Sequence, residues 1–110
     1  MSEHKEFIQK LADCASACQY CADQCLNEDD IAKMVDCIRT DHDCADSCLQ
    51  AINFVSRQSK HAKEAVELCR TLCKACGDEC AKHEMDHCQA CAKACRACEE
   101  ACESYLSVAA

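Results

Sequence analysis

Residues 88–102, CQACAKACRACEEAC, place five cysteines at successive steps of three, four, three and four residues. Residues three and four apart lie on the same face of an α-helix. The intervening Gln, Ala, Lys, Arg and Glu residues are good helix formers. The segment therefore predicts a helix whose buried face carries thiols where leucine is usual.

The same spacing recurs through the 110-residue chain. A mean step of 3.5 residues is the apolar seam of a helix bundle, so each cysteine group predicts one helix. Asp41 occupies the single skipped slot of the second group. We expect one domain over residues 1–110, with helices at approximately 3–27, 30–56, 60–83 and 86–108. The cysteine groups are Cys14, Cys18, Cys21, Cys25; Cys37, Cys44, Cys48; Cys69, Cys73, Cys76, Cys80; and Cys88, Cys91, Cys95, Cys98, Cys102.

Turn and capping residues separate these segments. Asn27–Asp30 is a turn cluster, Ser56 or Ser59 can cap the third helix, and 86–89 fits a capping box from Asp86 to Gln89. Gly occurs once and Pro never, which favours long helices. Because short connections make neighbouring helices antiparallel, we predict an all-α, antiparallel up-down-up-down four-helix bundle with a cysteine-lined interior.

This topology gives the bundle two different ends. All cysteine groups start from the end that carries the 28–30 and 84–86 connections, so Cys88 should lie near that open end and Cys102 deep. Apolar residues fill the other seam positions and should close the opposite end as a plug. They are Phe7, Ile8, Leu11, Ile52, Val55, Ala62, Ala65, Val66, Tyr105, Leu106 and Val108.

Composition excludes several classes of protein. The formal net charge is −8 and no Lys/Arg cluster exists, which argues against nucleic acid and against an anionic membrane surface. The start, MSEHKEFIQKLADC, resembles no secretory signal, and no stretch approaches the ~18 apolar residues of a membrane span. We therefore expect a cytoplasmic protein with reduced thiols, whereas disulfide scaffolds are loop-rich.

A seam of thiols favours soft-metal binding. A buried cysteine can serve as a small hydrophobe, but replacing leucine sixteen times would cost on the order of 1 kcal/mol at each position. Thiolates prefer Cu(I), Zn(II) and iron–sulfur clusters. Cu(I) accepts two or three thiolates, and sulfurs shared between ions would keep the core nearly neutral. The CxxxC pairs are Cys14/Cys18, Cys21/Cys25, Cys44/Cys48, Cys69/Cys73, Cys76/Cys80, Cys91/Cys95 and Cys98/Cys102.

The cysteine stripes also carry a family resemblance. CASACQYCADQC (14–25), CIRTDHDCADSC (37–48), CRTLCKACGDEC (69–80) and residues 88–102 resemble the copper storage proteins, over essentially the whole chain. The resemblance implies a bundle that binds many Cu(I) ions, similar to the cytosolic branch of the family, and assembled as a homotetramer. Asp41 is a place where the chain departs from the fuller cysteine pattern, either as a polar neighbour of the ions or as a tolerated gap.

Softer and borderline ligands gather near the open end. They are candidates for admitting Cu(I), although a histidine at a helix end can equally be solvated or contact the last carbonyls. We therefore predict a non-enzymatic copper store. The alternatives are a zinc or general soft-metal buffer and an iron–sulfur electron-transfer protein. The candidate residues at the open end are His42, His83, His87, Met34 and Met85.

Overall fold

A computed structural model describes residues 4–109. These residues form four α-helices and one short 3-10 helix, and the predicted all-α bundle is confirmed. Consecutive helices pack against each other and α4 returns to contact α1, giving a rod of 44 × 19 × 19 Å. The helices are α1 (Lys5–Cys25), the 3-10 helix (Ile31–Met34), α2 (Val35–Ser56), α3 (Ala62–Ala81) and α4 (Asp86–Ala109).

The helix ends differ from expectation by a few residues. Helix α1 stops at Cys25, and its expected start at residue 3 lies outside the described residues. Ile31–Met34 is wound as a 3-10 helix before α2 begins, and its first bond runs from the Lys33 N–H to the Asp30 carbonyl at 3.2 Å. Such tighter turns are common at helix starts.

The predicted capping box at 86–89 is wrong. Asp86 is already helical, and the Gln89 amide nitrogen donates to the carbonyls of His83 at 2.6 Å and Ala81 at 3.4 Å. Gln89 therefore satisfies the C-terminus of α3 and ties it to α4. The Ser59 hydroxyl oxygen accepts a bond from the His61 N–H at 3.0 Å, ahead of α3.

A left-handed residue, Gln58, with φ 51°, follows the end of α2 at Ser56. The Ser59 N–H donates to the Phe54 carbonyl at 2.9 Å, and the Gln58 N–H donates to the Val55 carbonyl at 3.0 Å. This pair of bonds is a Schellman motif, which stops the helix and turns the chain sharply. The short connection that follows makes α3 antiparallel to α2.

Apolar side chains close one end of the bundle. Leu11, Val55 and Val66 are at most 1% exposed, and Phe7 stacks on Tyr105 with ring centroids 4.9 Å apart. Val108 was expected in this plug and is 87% exposed. Val108 follows Cys102 by six residues. On a helix of 3.6 residues per turn, this spacing places its side chain about 120° around the helix axis from the cysteine seam.

The single glycine, Gly77, lies where α3 packs closely against α4. A Cβ on Gly77 would be 3.2 Å from the Arg96 Nη1 atom and 3.4 Å from the Cys95 Cβ atom. The missing side chain lets the cysteine faces of these helices approach each other. Between residues 4 and 109, no helix has both the length and the apolar character to cross a membrane.

Truncation of the plug should weaken the fold. Leu11 is fully buried and Leu49 is 47% exposed, so Leu11→Ala should lower the free energy of unfolding by about 2–5 kcal/mol. Leu49→Ala, with the same change of side chain, should change it by less than about 0.5 kcal/mol. Urea unfolding of the reduced proteins measures both values, and similar losses for the two variants would contradict the assigned plug.

Candidate metal-binding interior

All sixteen cysteines face the axis of the bundle as free thiols, and each is at most 1% exposed. Because every helix carries its cysteines at three- and four-residue steps, the seams converge and sulfurs from different helices meet. Short sulfur–sulfur distances join α2 to α3: Cys37 to Cys80 at 3.5 Å, Cys44 to Cys73 at 3.6 Å and Cys48 to Cys69 at 3.7 Å.

The sulfurs form groups of four whose ligand atoms lie within 4.8 Å of one another. A tetrahedral site with metal–sulfur bonds of about 2.3 Å separates its sulfurs by about 3.8 Å, so the groups have the dimensions of soft-metal sites. Four of these groups consist of cysteines alone and overlap through shared members such as Cys14 and Cys73, so they form one connected set of donors. They include Cys14, Cys44, Cys48, Cys73; Cys14, Cys18, Cys44, Cys95; Cys18, Cys76, Cys91, Cys95; and Cys48, Cys69, Cys73, Cys98.

Hydrogen bonding among the thiols couples their ionisation. Bonds from Cys18 and Cys44 lower the pKa of Cys14, and the bonds with Cys14 and Cys44 raise the pKa of Cys18. A thiolate is thus held by neighbours that keep their protons. Without a bound cation, the interior can be ionised only in part, since adjacent buried charges of one sign repel strongly.

A mixed group of sulfur and nitrogen lies at the open end, and we call it the mouth group: Cys21, Cys25, Cys88 and His87. The His87 Nδ1 atom is 3.5 Å from the Cys88 sulfur, 3.6 Å from Cys21 and 4.0 Å from Cys25. The other ring nitrogen, Nε2, is 2.9 Å from a carboxylate oxygen of Glu28. His87 is only 12% exposed, so its ring is part of the thiol cluster rather than of the solvated surface.

One cysteine of the mouth group, Cys21, has a lowered pKa. The pKa of Cys21 is lowered to about 6 by hydrogen bonds from Cys37 and Cys80, with a further contribution from His87. Burial alone would lower the pKa of His87, but its hydrogen bonds with Cys21 and Glu28 outweigh burial and raise it. A thiolate is a metal ligand whereas a thiol is a poor one, so the mouth group can offer an ionised ligand near neutral pH.

Asp41 fills the skipped seam slot and is completely buried. Its Oδ1 atom accepts bonds from the thiols of Cys76 at 3.0 Å, Cys91 at 3.2 Å and Cys80 at 3.4 Å. Burial, the bond with Cys76 and the negative charge of nearby thiolates raise the pKa of Asp41 to about 12. The carboxyl is therefore a neutral, hydrogen-bonded acid among the thiols, which answers the question that the sequence left open about its environment.

The other residues predicted for the open end divide into buried and exposed ones. Met34 is 1% exposed and belongs to the core with the cysteines, and Met85 packs against that core. The His83 side chain is 15% exposed, and its Nε2 atom lies 2.9 Å from a carboxylate oxygen of Glu79. His42 is exposed on α2, so the structure does not bring it into the thiol cluster.

Sequence reasoning missed Glu28. It lies in the turn after α1 and was interpreted only as one of a cluster of turn and capping residues. The available signal was topological, because the 28–30 connection and His87 were both assigned to the open end. A carboxylate there is the natural partner for the outer nitrogen of a histidine whose other nitrogen points inward.

The bundle is lined by thiols, closed at one end by apolar side chains, and has a histidine among the thiols at the other end. These features define a class of protein that holds soft metal ions between its helices. The family model described as "Csp: Copper storage protein" matches residues 1–107. The chain belongs to the copper storage protein family.

Relatives at similar identity support this assignment. The chain is 46% identical over 81 residues, 74% of its length and 75% of the relative's, to the uncharacterized cysteine-rich protein YhjQ of Bacillus subtilis. It matches copper storage protein Ccsp of Streptomyces lividans, loaded with 10 copper equivalents, with a TM-score of 0.90 at 44% identity, over 93% of this chain and 82% of that one. Apo-Csp3 of Bacillus subtilis gives a TM-score of 0.88 at 44% identity, over 94% and 98%.

The buried acid predicts a pH-dependent stability difference between the metal-free wild type and Asp41→Asn. In the folded protein, burial raises the pKa of the Asp41 carboxyl from its ordinary value of 3.8 to about 12. In the unfolded chain the carboxyl ionises near pH 4. The stability contributed by Asp41 is therefore present below pH 4 and is lost as pH rises through this window. Asparagine accepts the same thiol bonds and does not titrate. As pH rises, the free energy of unfolding of the variant should therefore increase relative to that of the wild type by up to about 1.4 kcal/mol per pH unit.

Urea unfolding of both reduced proteins at pH 5, 6 and 7 measures this difference. Thiols that do not contact residue 41 titrate alike in both proteins, so the difference between them reports on Asp41 and the thiols that bond to it. A gap that stays constant across these pH values would show that the folded carboxyl is ionised, against the structure.

Proposed function

We propose that this protein stores copper without catalysing a reaction, by binding many Cu(I) ions to the sixteen cysteine thiolates that line its interior. The observation that carries the proposal is the connected network of four-ligand groups, in which Cys14, Cys18 and Cys48 each belong to two groups. A protein that needed one metal centre would require one such group. A network that extends along the bundle suits a large, variable load.

The charge of the interior favours Cu(I) over a divalent ion. One monovalent ion for each shared thiolate leaves the core nearly neutral, whereas an isolated ion with two thiolates leaves one negative charge in a dry interior. A tetrahedral divalent ion with four thiolates leaves two. Shared sulfurs are what the overlapping groups supply, so dense loading with monovalent ions suits this interior best.

The relatives support the cargo and the location. Solved structures 44% identical to this chain include a Cu(I)-bound copper storage protein named BsCsp3 and a cytosolic copper storage protein from Streptomyces lividans with five coppers. We extend copper binding and a cytoplasmic location from them to this chain. The family resemblance also supports a homotetramer, in which exposed side chains such as Tyr20 and Leu68 would be available for contacts between copies.

Two other functions use the same thiols. A zinc or general soft-metal buffer is favoured by the tetrahedral dimensions of the four-cysteine groups. An iron–sulfur electron-transfer protein fits less well, because a cluster takes its ligands around one compact unit, typically with some from loops, and here the donors extend along all the helices.

Anaerobic titration of the reduced protein with Cu(I), against a competing chelator, tests storage directly. We expect roughly ten or more ions per chain, about one per shared thiolate, with release of protons as thiols become ligands. The melting temperature should rise because the ions bind only the folded state tightly. Saturation at one or two ions per chain would rule out storage.

The same sample separates the alternatives. Addition of Zn(II) to the Cu(I)-loaded protein should displace little copper, since thiolates prefer the softer ion. Complete displacement would favour the zinc buffer. A brown colour with visible absorption after anaerobic purification would favour the iron–sulfur protein.

We also propose that copper passes through the mouth group, because the opposite end is closed by Leu11, Val55 and Val66. His87→Ala removes the nitrogen ligand of the mouth group, and it should slow uptake of the first ions from a chelated donor about tenfold. His42→Ala is the matched control on an exposed position and should load at the wild-type rate. Stopped-flow absorbance in the thiolate-to-copper charge-transfer region follows both. Equal rates for the two variants would place the route elsewhere.

A further inference from the structure

Glu28 and His87 meet across the open end from different parts of the chain. Glu28 lies in the turn after α1, where its N–H donates to the Cys25 carbonyl at 3.3 Å. His87 is in the first turn of α4. The Glu28 side chain is 30% exposed and that of His87 is 12% exposed, so the ring is more deeply buried than the carboxylate that contacts it.

The contact defines which ring nitrogen carries the proton. A carboxylate only accepts hydrogen bonds, so the His87 nitrogen 2.9 Å from it, Nε2, is the donor. In a neutral imidazole the other nitrogen then has a free lone pair. That nitrogen, Nδ1, is the one that faces the sulfurs of Cys88, Cys21 and Cys25.

Resting on the proposed storage function, we infer that Glu28 is a positioning residue for copper uptake: it orients the His87 ring so that its Nδ1 lone pair points into the mouth group. Glu28 donates no ligand atom to the ion. It acts through His87, in the way that carboxylates behind metal-bound histidines fix ring orientation and tautomer.

The second histidine–glutamate pair at this end shows what the arrangement requires. His83 and Glu79 are also 2.9 Å apart, but they are only four residues from each other in the chain, Glu79 in the last turn of α3 and His83 just beyond its end. That pair is local in the chain, whereas the Glu28–His87 pair joins two distant segments and leaves Nδ1 directed at three thiols. Orientation toward the sulfurs is therefore assigned to Glu28 and not to Glu79.

The inference is tested first in the reduced, metal-free protein, by long-range ¹H–¹⁵N correlation of the His87 ring at a pH where it is neutral. The wild type should show a single species with the proton on Nε2. Glu28→Gln should keep it, because the amide oxygen can accept the same bond. Glu28→Lys places a donor opposite Nε2 and should move the proton to Nδ1. A wild-type ring protonated on Nδ1, or a ring unaffected by Glu28→Lys, would overturn the inference.

Copper uptake supplies the second measurement. Glu28→Ala should weaken binding of the first ion or slow its uptake about tenfold, Glu28→Gln should restore it, and the total number of ions should match the wild type. Glu84→Ala removes the same charge from an exposed position at the same end and should have no such effect. Equal losses for Glu28→Ala and Glu84→Ala would overturn the positioning role in favour of charge attraction.

The two measurements separate this inference from storage itself. If the protein binds only one or two ions, storage fails, while the ring proton still reports whether Glu28 orients His87. If it binds many ions and the ring is unchanged in Glu28→Lys, storage stands and the positioning role fails.

Discussion

The structure depends on the cost of placing many ionisable groups in a dry interior. Each thiol at the bundle axis can be a ligand only after it loses a proton, and adjacent thiolates repel when no cation lies between them. The metal-free protein manages this by hydrogen bonds that lower one pKa and raise the next, as in Cys14 and Cys18. Asp41 is kept neutral by burial, so it adds no negative charge to the interior. Bound Cu(I) would replace the protons one for one and leave the charge of the interior nearly unchanged.

Much of this could be predicted from the cysteine spacing. Steps of three and four residues specify a helix face, and short connections between four such faces leave few arrangements other than an antiparallel bundle. The burial of every cysteine and the apolar plug follow from that periodicity, because it determines which side chains point inward. Val108 was misplaced because apolar character was given more weight than its angular position on α4.

The parts that were missed depend on contacts between segments. The spacing of Asp86 and Gln89 matched a local capping pattern, but Gln89 instead bonds to the end of α3 across the connection. His42 and His87 both lie near the open end in sequence terms, and only the rotation of each helix shows that one is exposed and the other faces the thiols. Asp41 was located correctly in the seam, but its protonation depends on sulfurs from α3 and α4 that sequence spacing cannot place.

The plug affects the order in which stored ions are released. On the proposed route, ions enter and leave through the mouth group and pass between neighbouring sulfurs, so the ions that enter last leave first. Ions held beside Cys48, Cys69, Cys98 and Cys102, nearest the sealed end, would form a long-lived reserve, and those at His87 a rapidly exchanging one. One protein would then release copper at two different rates, set by the distance of each ion from the open end.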